Sequence, residues 1–466
     1  RSTHVKRFPN PSKNAIIWLL LSAVLMTALY VSLIFNRNIW TDEAFTIELV
    51  GSNSVLGIIR GTANDVHPPL YYLIVKLFIT LFGTSFQVYK LVSILPMFFT
   101  MLLGIFYIAP WFGAKTAFLF MLFLNAIPCV MEYGVQIRMY SWAIFFITIA
   151  GLFAYGAYVT HQTKYWILLS IAAVSACYTH NFAMISAVWI YLLLGAAVLF
   201  SRTGIVKWFL SGAFTALCFI PWLLVLLKQT GSRINNYWIE PVTKETILGY
   251  LGDLFDSRLP FTAIMFAFLL LAAFIMVFVK PYPATTRCFA LALLLVPLLT
   301  ALLGIAVSVL ITPFFIARYL IPCMGLTALF LAIGFGTQKV LSYPLLCAFL
   351  LSMTASSYKT NFLDEYRSTH TEELLTYMEE NLSENDIILY NNKLYGFIYA
   401  CYFDTDKLRF LEDMDFGAAS GTIWYFDSCI SPWLPDAVLQ EHGLTKEYIA
   451  TLGIEQNDFI LYKISR

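Results

Sequence analysis

The stretch "AIIWLLLSAVLMTALYVSLIF", Ala15–Phe35, runs directly into "NRNIWTDEAFTIELV", Asn36–Val50. The first part is uncharged and about 20 residues long, enough to cross a bilayer as a helix. The second therefore surfaces at a membrane edge, and it carries an acidic pair, Asp42 and Glu43. No small-residue cleavage signature follows the apolar run, so it reads as a retained anchor rather than a removed signal peptide.

Ten further apolar runs lie near residues 86–110, 114–131, 139–160, 165–179, 183–200, 206–227, 261–279, 288–311, 316–335 and 339–357. The fold class is thus a multi-span α-helical membrane protein with about 11 transmembrane helices. Composition agrees: 59% hydrophobic and 12% charged residues exclude an ordinary soluble chain, where about 25% charged is usual. A net charge of +1 argues against nucleic acid as partner, because that needs a basic face. There is no CxxC pair, P-loop, dinucleotide fingerprint or fixed-period repeat. Cys129, Cys177, Cys218, Cys288, Cys323 and Cys347 lie in apolar runs and read as packing residues. Cys401 and Cys429 lie in the polar C-terminal part, where spacing alone does not decide pairing.

Charge sets the expected orientation. Arg1, Lys6, Arg7 and Lys13 place the start of the chain in the cytoplasm. Alternate crossings bring Lys115, Lys164, Arg202, Lys207, Lys280, Arg287 and Lys339 to the same side, in loops without Asp or Glu. Asp42, Glu43, Glu48, Asp65, Glu132, Glu240, Glu245, Asp253 and Asp256 all fall outside, with His67, Arg138, His180 and Arg318. Trp40, Trp111, Trp166, Trp222 and Trp238 sit near span ends, as an aromatic belt does.

The first outer loop, 36–85, contains two helix signals. "TDEAFTIELV" has Thr41 or Asp42 as cap and acids in its first turn. "HPPLYYLIVKLFITLFG" starts on a proline pair, breaks at Gly83 and reads as a helix lying in the interface. After about residue 358 the composition changes to a small exported α/β domain, 359–466. Its helix patterns are "STHTEELLTYMEENLSEND" and "LPDAVLQEHG"; "DIILYN", "LRFLED", "TIWYFDS", "EYIATLGI" and "DFILYKI" read as strands.

Each candidate site residue has a bland reading. Asp42 and Glu43 can simply face a helix dipole, yet a shielded carboxylate is also a stronger base for an alcohol proton. His67, beside Asp65, reads alone as a surface histidine, and Pro68–Pro69 as a helix start. Arg138, in "VMEYGVQIRMYSW" with Glu132 and Tyr140, can snorkel to head groups. Basic anchors favour the inner face, however, so an outer arginine points to a lipid phosphate held bidentately. His180 in "CYTHNF" is a structural group, a phosphate donor or a metal ligand. Arg318 and Tyr319 open "ARYLIP" at the outer start of a span. Five such clusters on one face make a functional site the default reading.

The stretches "WTDEAFT", "DVHPPLYYLIVKLF", "ARYLIP", "EYGVQIRMYS" and "YTHNF" resemble membrane glycosyltransferases of the GT-C superfamily. The resemblance is to bacterial relatives of the protein O-mannosyltransferases and the aminoarabinose transferases of lipid A, over residues 14–335. It implies a polyprenyl-phosphate-linked sugar as donor, such as undecaprenyl phosphate, and inverting transfer to a lipid, glycan or protein acceptor. It also implies a bacterial plasma membrane and a site on its outer face. Asp42 is then the catalytic base with Glu43 beside it, and Arg138, Arg318, His180, Tyr319 and Tyr140 hold the donor phosphate. Asp65, His67 and Glu132 are further candidates. Some members bind a divalent metal and others do not; Asp42, Asp65, His67 and His180 are the ligands available and leave it open. The chief competing reading is a lipid-linked sugar transporter or flippase. Transporters, however, place ionisable groups near the midplane within related repeats, and these charges lie at an edge.

Overall fold

The structure, a computed structural model, describes residues 10–233, 239–255, 260–337, 342–359, 370–454 and 457–466. Arg1, Lys6, Arg7, Trp238, Asp256, Lys339 and the join at 360–369 lie outside them. Among the described residues, eight helices are long and apolar enough to cross a membrane: Lys13–Val31, Phe86–Phe112, Tyr140–Thr160, Asn181–Ser201, Ile205–Gly231, Phe261–Val279, Ala284–Leu310 and Ala317–Phe335. A ninth span results if Ala114–Ala126 and Pro128–Val135, bent by 73°, count as one. The break falls at Ile127, which is extended (ψ 112°) because the following proline disfavours a helical residue before it. The runs at 165–179 and 339–357 form shorter helices, Thr163–Cys177 and Ser342–Ser357. Every expected run is helical, and three are not straight full-length spans.

Ala317–Phe335 is the axis of the bundle and almost wholly buried. Its glycines permit that. A Cβ on Gly334 would stand 2.8 Å from the Ala273 Cα, and one on Gly325 would collide with the Thr148 hydroxyl. Small residues at such crossings let membrane helices approach closely.

The first loop contains three helices, Thr41–Ser52, Val55–Asn64 and Leu70–Phe82. The first is capped by Trp40, not by Thr41 or Asp42: Glu43 at its third position accepts the Trp40 N–H at 3.1 Å, the reciprocal half of a capping box. Leu70–Phe82 follows Pro69 and stops at Gly83, whose φ of 91° few other residues adopt. It turns Tyr71, Tyr72, Val75 and Ile79 inward and leaves Leu77, Leu81 and Phe82 exposed, as an interfacial helix does. Lys76 is not free to snorkel, since its Nζ donates to the Val50 carbonyl at 2.9 Å.

Three of the tryptophans expected in a belt do not face outward. Trp111, Trp166 and Trp222 are buried, and Trp111 packs among Tyr107, Tyr155 and Tyr165. Aromatics at these span ends fill gaps between helices.

The tail is a five-stranded sheet of order β2-β1-β3-β5-β4: β1 Ile387–Tyr390, β2 Leu408–Phe410, β3 Ile423–Asp427, β4 Thr445–Ile454 and β5 Asn457–Ser465. β1 pairs in parallel with β2 and β3, and β5 is antiparallel to β3 and β4. Side chains alternate between faces. Leu389, Ile423 and Tyr425 pack under the short helix Asp436–Glu441, whereas Ile388, Trp424 and Phe426 join the core continuous with the membrane bundle. The helices on that second face are His370–Asn381 and Lys393–Tyr402. The latter, "KLYGFIYACY", has no counterpart among the helices expected from the sequence. No disulfide joins Cys401 to Cys429.

Candidate active site

Asp42 is the second residue of its helix, so its carboxylate stands at the amino end. Two guanidiniums reach the same oxygen, Arg138 NH2 at 3.7 Å and Arg318 NH1 at 3.8 Å. Both distances exceed hydrogen-bonding range, so the three groups share a field rather than direct hydrogen bonds. Arg138 sits in the tight turn before Tyr140–Thr160, with its own N–H on the Gln136 carbonyl at 2.7 Å. It is 2% exposed, and its NH1 faces the Asp42 carbonyl at 3.2 Å, Thr46 Oγ1 at 3.4 Å and Tyr72 Oη at 3.5 Å. Arg318, second in the 3₁₀ turn Ala317–Cys323, lies 5.5 Å over the Trp40 ring and hydrogen-bonds Tyr133.

Glu43 points elsewhere. It is 1% exposed, and its oxygens accept the Trp40 N–H and, at 2.7 Å, the Ile137 N–H. The acid that begins one element thereby grips the residue next to Arg138 in another. Burial holds the Glu43 carboxyl above its ordinary value, against the opposing pull of Lys90, these two N–H groups and Arg138. Lys90 is itself fully buried, with Nζ on the Asn38 carbonyl at 2.8 Å and Asn36 Oδ1 at 3.2 Å. Glu43 is thus held between two backbone N–H groups.

His180 caps Asn181–Ser201, its Nδ1 accepting the Phe182 N–H at 3.1 Å. Burial, then Arg138 and Arg318, push the His180 pKa down to about 3. The ring is therefore neutral with its proton on Nε2, a buried atom without a partner among the described residues. His67 stacks on it at 5.8 Å, and Tyr140 and Tyr319 meet it at 5.3 and 5.6 Å. The His67 turn is tied there by Asn181 Nδ2 on the Val66 carbonyl and the Leu70 N–H on the Tyr178 carbonyl. His67, His180 and Tyr319 form the polar end of a cavity of about 390 Å³, whose walls include Met184, Ile185, Leu226, Val307 and Phe314.

The structure thus gathers Asp42, His67, Arg138, Tyr140, His180, Arg318 and Tyr319. Asp65 closes Val55–Asn64 and acts on Arg138. Glu132 flanks the site, half-buried beside Tyr133. For a metal, Asp42, Asp65, His67 and His180 do not come together: among the described residues no three His, Cys, Asp or Glu side chains converge enough to hold one. Sequence reasoning missed Tyr72, Tyr133 and Lys90. A lone lysine inside the apolar run Phe86–Phe112 was the readable signal, because an ionisable residue at that depth is functional by default.

The reciprocal grip of Glu43 gives a test. Glu43→Gln keeps the shape but removes the charge that Lys90 and two N–H groups share. It is expected to cost about 1.5–3 kcal/mol, as for a lost charged hydrogen bond, measured by unfolding of the purified protein. Wild-type stability would show that the charge of Glu43 does not tie the two elements.

No protein-family model and no curated protein matches the chain. Solved structures do, two of them of one protein. ArnT from Cupriavidus metallidurans in the apo state superposes with a TM-score of 0.65 at 12% identity, over 97% of this chain and 98% of that one. The same protein bound to undecaprenyl phosphate gives 0.63 at 11%, with the same coverage. The likeness spans the bundle, the first-loop helices and the tail, and at this identity it is one of fold. The chain is a multi-span integral membrane protein with the fold of ArnT.

Proposed function

We propose that this protein is a membrane glycosyltransferase that moves a hexosyl or pentosyl group from a polyprenyl-phosphate donor to an acceptor hydroxyl, with inversion and with Asp42 as general base. One observation carries the proposal. Asp42 stands between Arg138 and Arg318, and His180, whose ring feels both arginines, lines an apolar cavity. That is the layout for an anionic head group on an apolar tail. The structure of ArnT with undecaprenyl phosphate supports the same ligand class here.

The chemistry follows from the charges. The leaving group is a phosphate monoester, and donors fixed in advance where its charge develops stabilise the transition state. Arg138 and Arg318 provide the planar forks, and neutral His180 provides one N–H donor. The phosphate replaces Asp42 as partner of the guanidiniums. The freed carboxylate takes the proton of the acceptor hydroxyl, whose oxygen attacks the anomeric carbon from the face opposite the departing phosphate. The resulting bond is inverted, and no residue is covalently modified. The prenyl chain stays in the membrane while only the sugar is presented, which explains a site at a span edge.

The site belongs on the extracytoplasmic side together with the tail, and the start of the chain in the cytoplasm. In support, positively charged loops meet in pairs: Lys207 Nζ meets the His161 carbonyl at 2.9 Å and Tyr343 meets the Lys115 carbonyl at 3.2 Å. Cysteines introduced at Lys115 and Lys207 in a background without native thiols should resist an impermeant thiol reagent in intact cells. One at the exposed Glu384 should react. The reverse pattern would invert the topology and end the argument for an outer site.

Phosphate recognition is tested by transfer from a synthetic prenyl-phosphate sugar and by binding of the prenyl phosphate alone. Arg138→Ala and Arg318→Ala should each weaken binding about 10–100-fold, the equivalent of roughly 1.5–3 kcal/mol per charged hydrogen bond. Arg→Lys should recover part of it, because an ammonium lacks the fork. Normal donor affinity in both alanine variants would make these arginines head-group anchors.

A further inference from the structure

Arg37 lies five residues before Asp42, in the turn Asn36–Trp40 that joins the first span to the acid-bearing helix. The C-terminal domain takes up its polar groups. The Arg37 guanidinium donates through Nε and NH2 to Glu372, at 3.0 and 2.6 Å to Oε2, and through NH1 to Glu379 at 3.1 Å. Its backbone N–H donates to Glu372 Oε1 at 3.1 Å, and its carbonyl accepts from the Tyr402 hydroxyl in a short hydrogen bond. Glu372 and Glu379 are two helical turns apart on one face of His370–Asn381, a spacing that lets both reach a single fork.

The contact continues along the acid-bearing helix. The Phe397 ring meets Phe45 edge-on at 5.9 Å, the Tyr402 ring packs on Phe86 at 5.8 Å, and Cys401 touches the Ala44 carbonyl. From the bundle, Lys90 holds the same turn at Asn36 and Asn38. Ile39 is fully buried, and the Trp40 carbonyl accepts the N–H groups of Glu43 and Ala44. No slack separates Arg37 from Asp42.

Arg37 and Glu372 are each about one-third exposed. Exposed ion pairs add little stability by themselves; a bidentate fork adds geometric definition instead. We infer that the C-terminal domain is a positioning element for the general base, clamping the Asn36–Trp40 turn through Arg37 so that Asp42 faces the sugar. This inference rests on the proposed role of Asp42 as general base.

The test is Glu372→Gln/Glu379→Gln, isosteric and made in the full-length protein, read two ways. Backbone hydrogen exchange over residues 41–46 should rise, because the first amides of the helix lose their anchored cap. Transfer from the prenyl-phosphate sugar should lose about 10–100-fold in kcat with donor KM unchanged, since a misplacement of about 1 Å can cost 10²-fold. Arg37→Lys, which keeps the charge but not the fork, should fall between this variant and wild type. Unchanged exchange would show that the clamp does not order the turn. Raised exchange with full kcat, or a loss of thermal stability alone, would show that the ordering does not serve the base. If the wild-type protein itself transfers no sugar, the proposed function fails, while exchange still decides whether the tail orders the turn.

Discussion

One buried carboxylate connects the parts of the site. Glu43 accepts the N–H of Trp40 with one oxygen and the N–H of Ile137 with the other. Trp40 begins the element that presents Asp42, and Ile137 precedes Arg138. The proposed base and one proposed phosphate ligand therefore stand at a distance set by a single side chain. Their neighbours follow from it: Trp40 offers its ring to Arg318, and Arg138 closes back on the Asp42 carbonyl.

Such a joint is possible only because each buried charge has partners. An isolated ion in a low-dielectric interior is strongly disfavoured, and breaking a buried pair leaves the other charge uncompensated. Lys90 satisfies two acceptors on the Asn36–Trp40 turn and adds positive charge near Glu43. Arg138, almost inaccessible, has carbonyl, hydroxyl and phenol oxygens around NH1. What stays unpartnered is informative: the buried N–H of His180 has no acceptor among the described residues. Neutral at physiological pH, it adds a donor without adding a third cation to the two arginines.

Much of this architecture is legible in the amino-acid sequence. The apolar runs form helices because about 20 uncharged residues have little alternative. The charges of the site converge because a membrane edge brings together loops that are remote in sequence. Strands of the tail are visible as apolar runs between turn residues, and Gly443, with φ 66°, marks the end of the helix read from "LPDAVLQEHG". Tertiary choices are not legible. Nothing local tells Asp42 from Glu43: adjacent helical positions point about 100° apart, and only the partner loop shows which one is buried. Tyr72 and Tyr133 become ligands of arginines through contacts set by folding. Trp111, Trp166 and Trp222 read as belt residues because position along a span does not reveal whether a face meets lipid or protein. The helix Lys393–Tyr402 has Gly396 at its centre, a residue that weakens a helix signal; here a Cβ would stand 2.9 Å from the Tyr390 ring.

The most direct measurement of the central claim is turnover and thermal stability on one purified protein, Asp42→Asn. Asparagine keeps the size, and at a helix start it is tolerated about as well as aspartate, while the basicity is gone. The variant should insert, fold and bind the prenyl-phosphate donor as wild type does, and its transfer rate should fall by roughly 10²–10⁴-fold, the usual contribution of a positioned base. Undiminished turnover, with or without a change in stability, would show that Asp42 belongs to the architecture of the site and not to its chemistry.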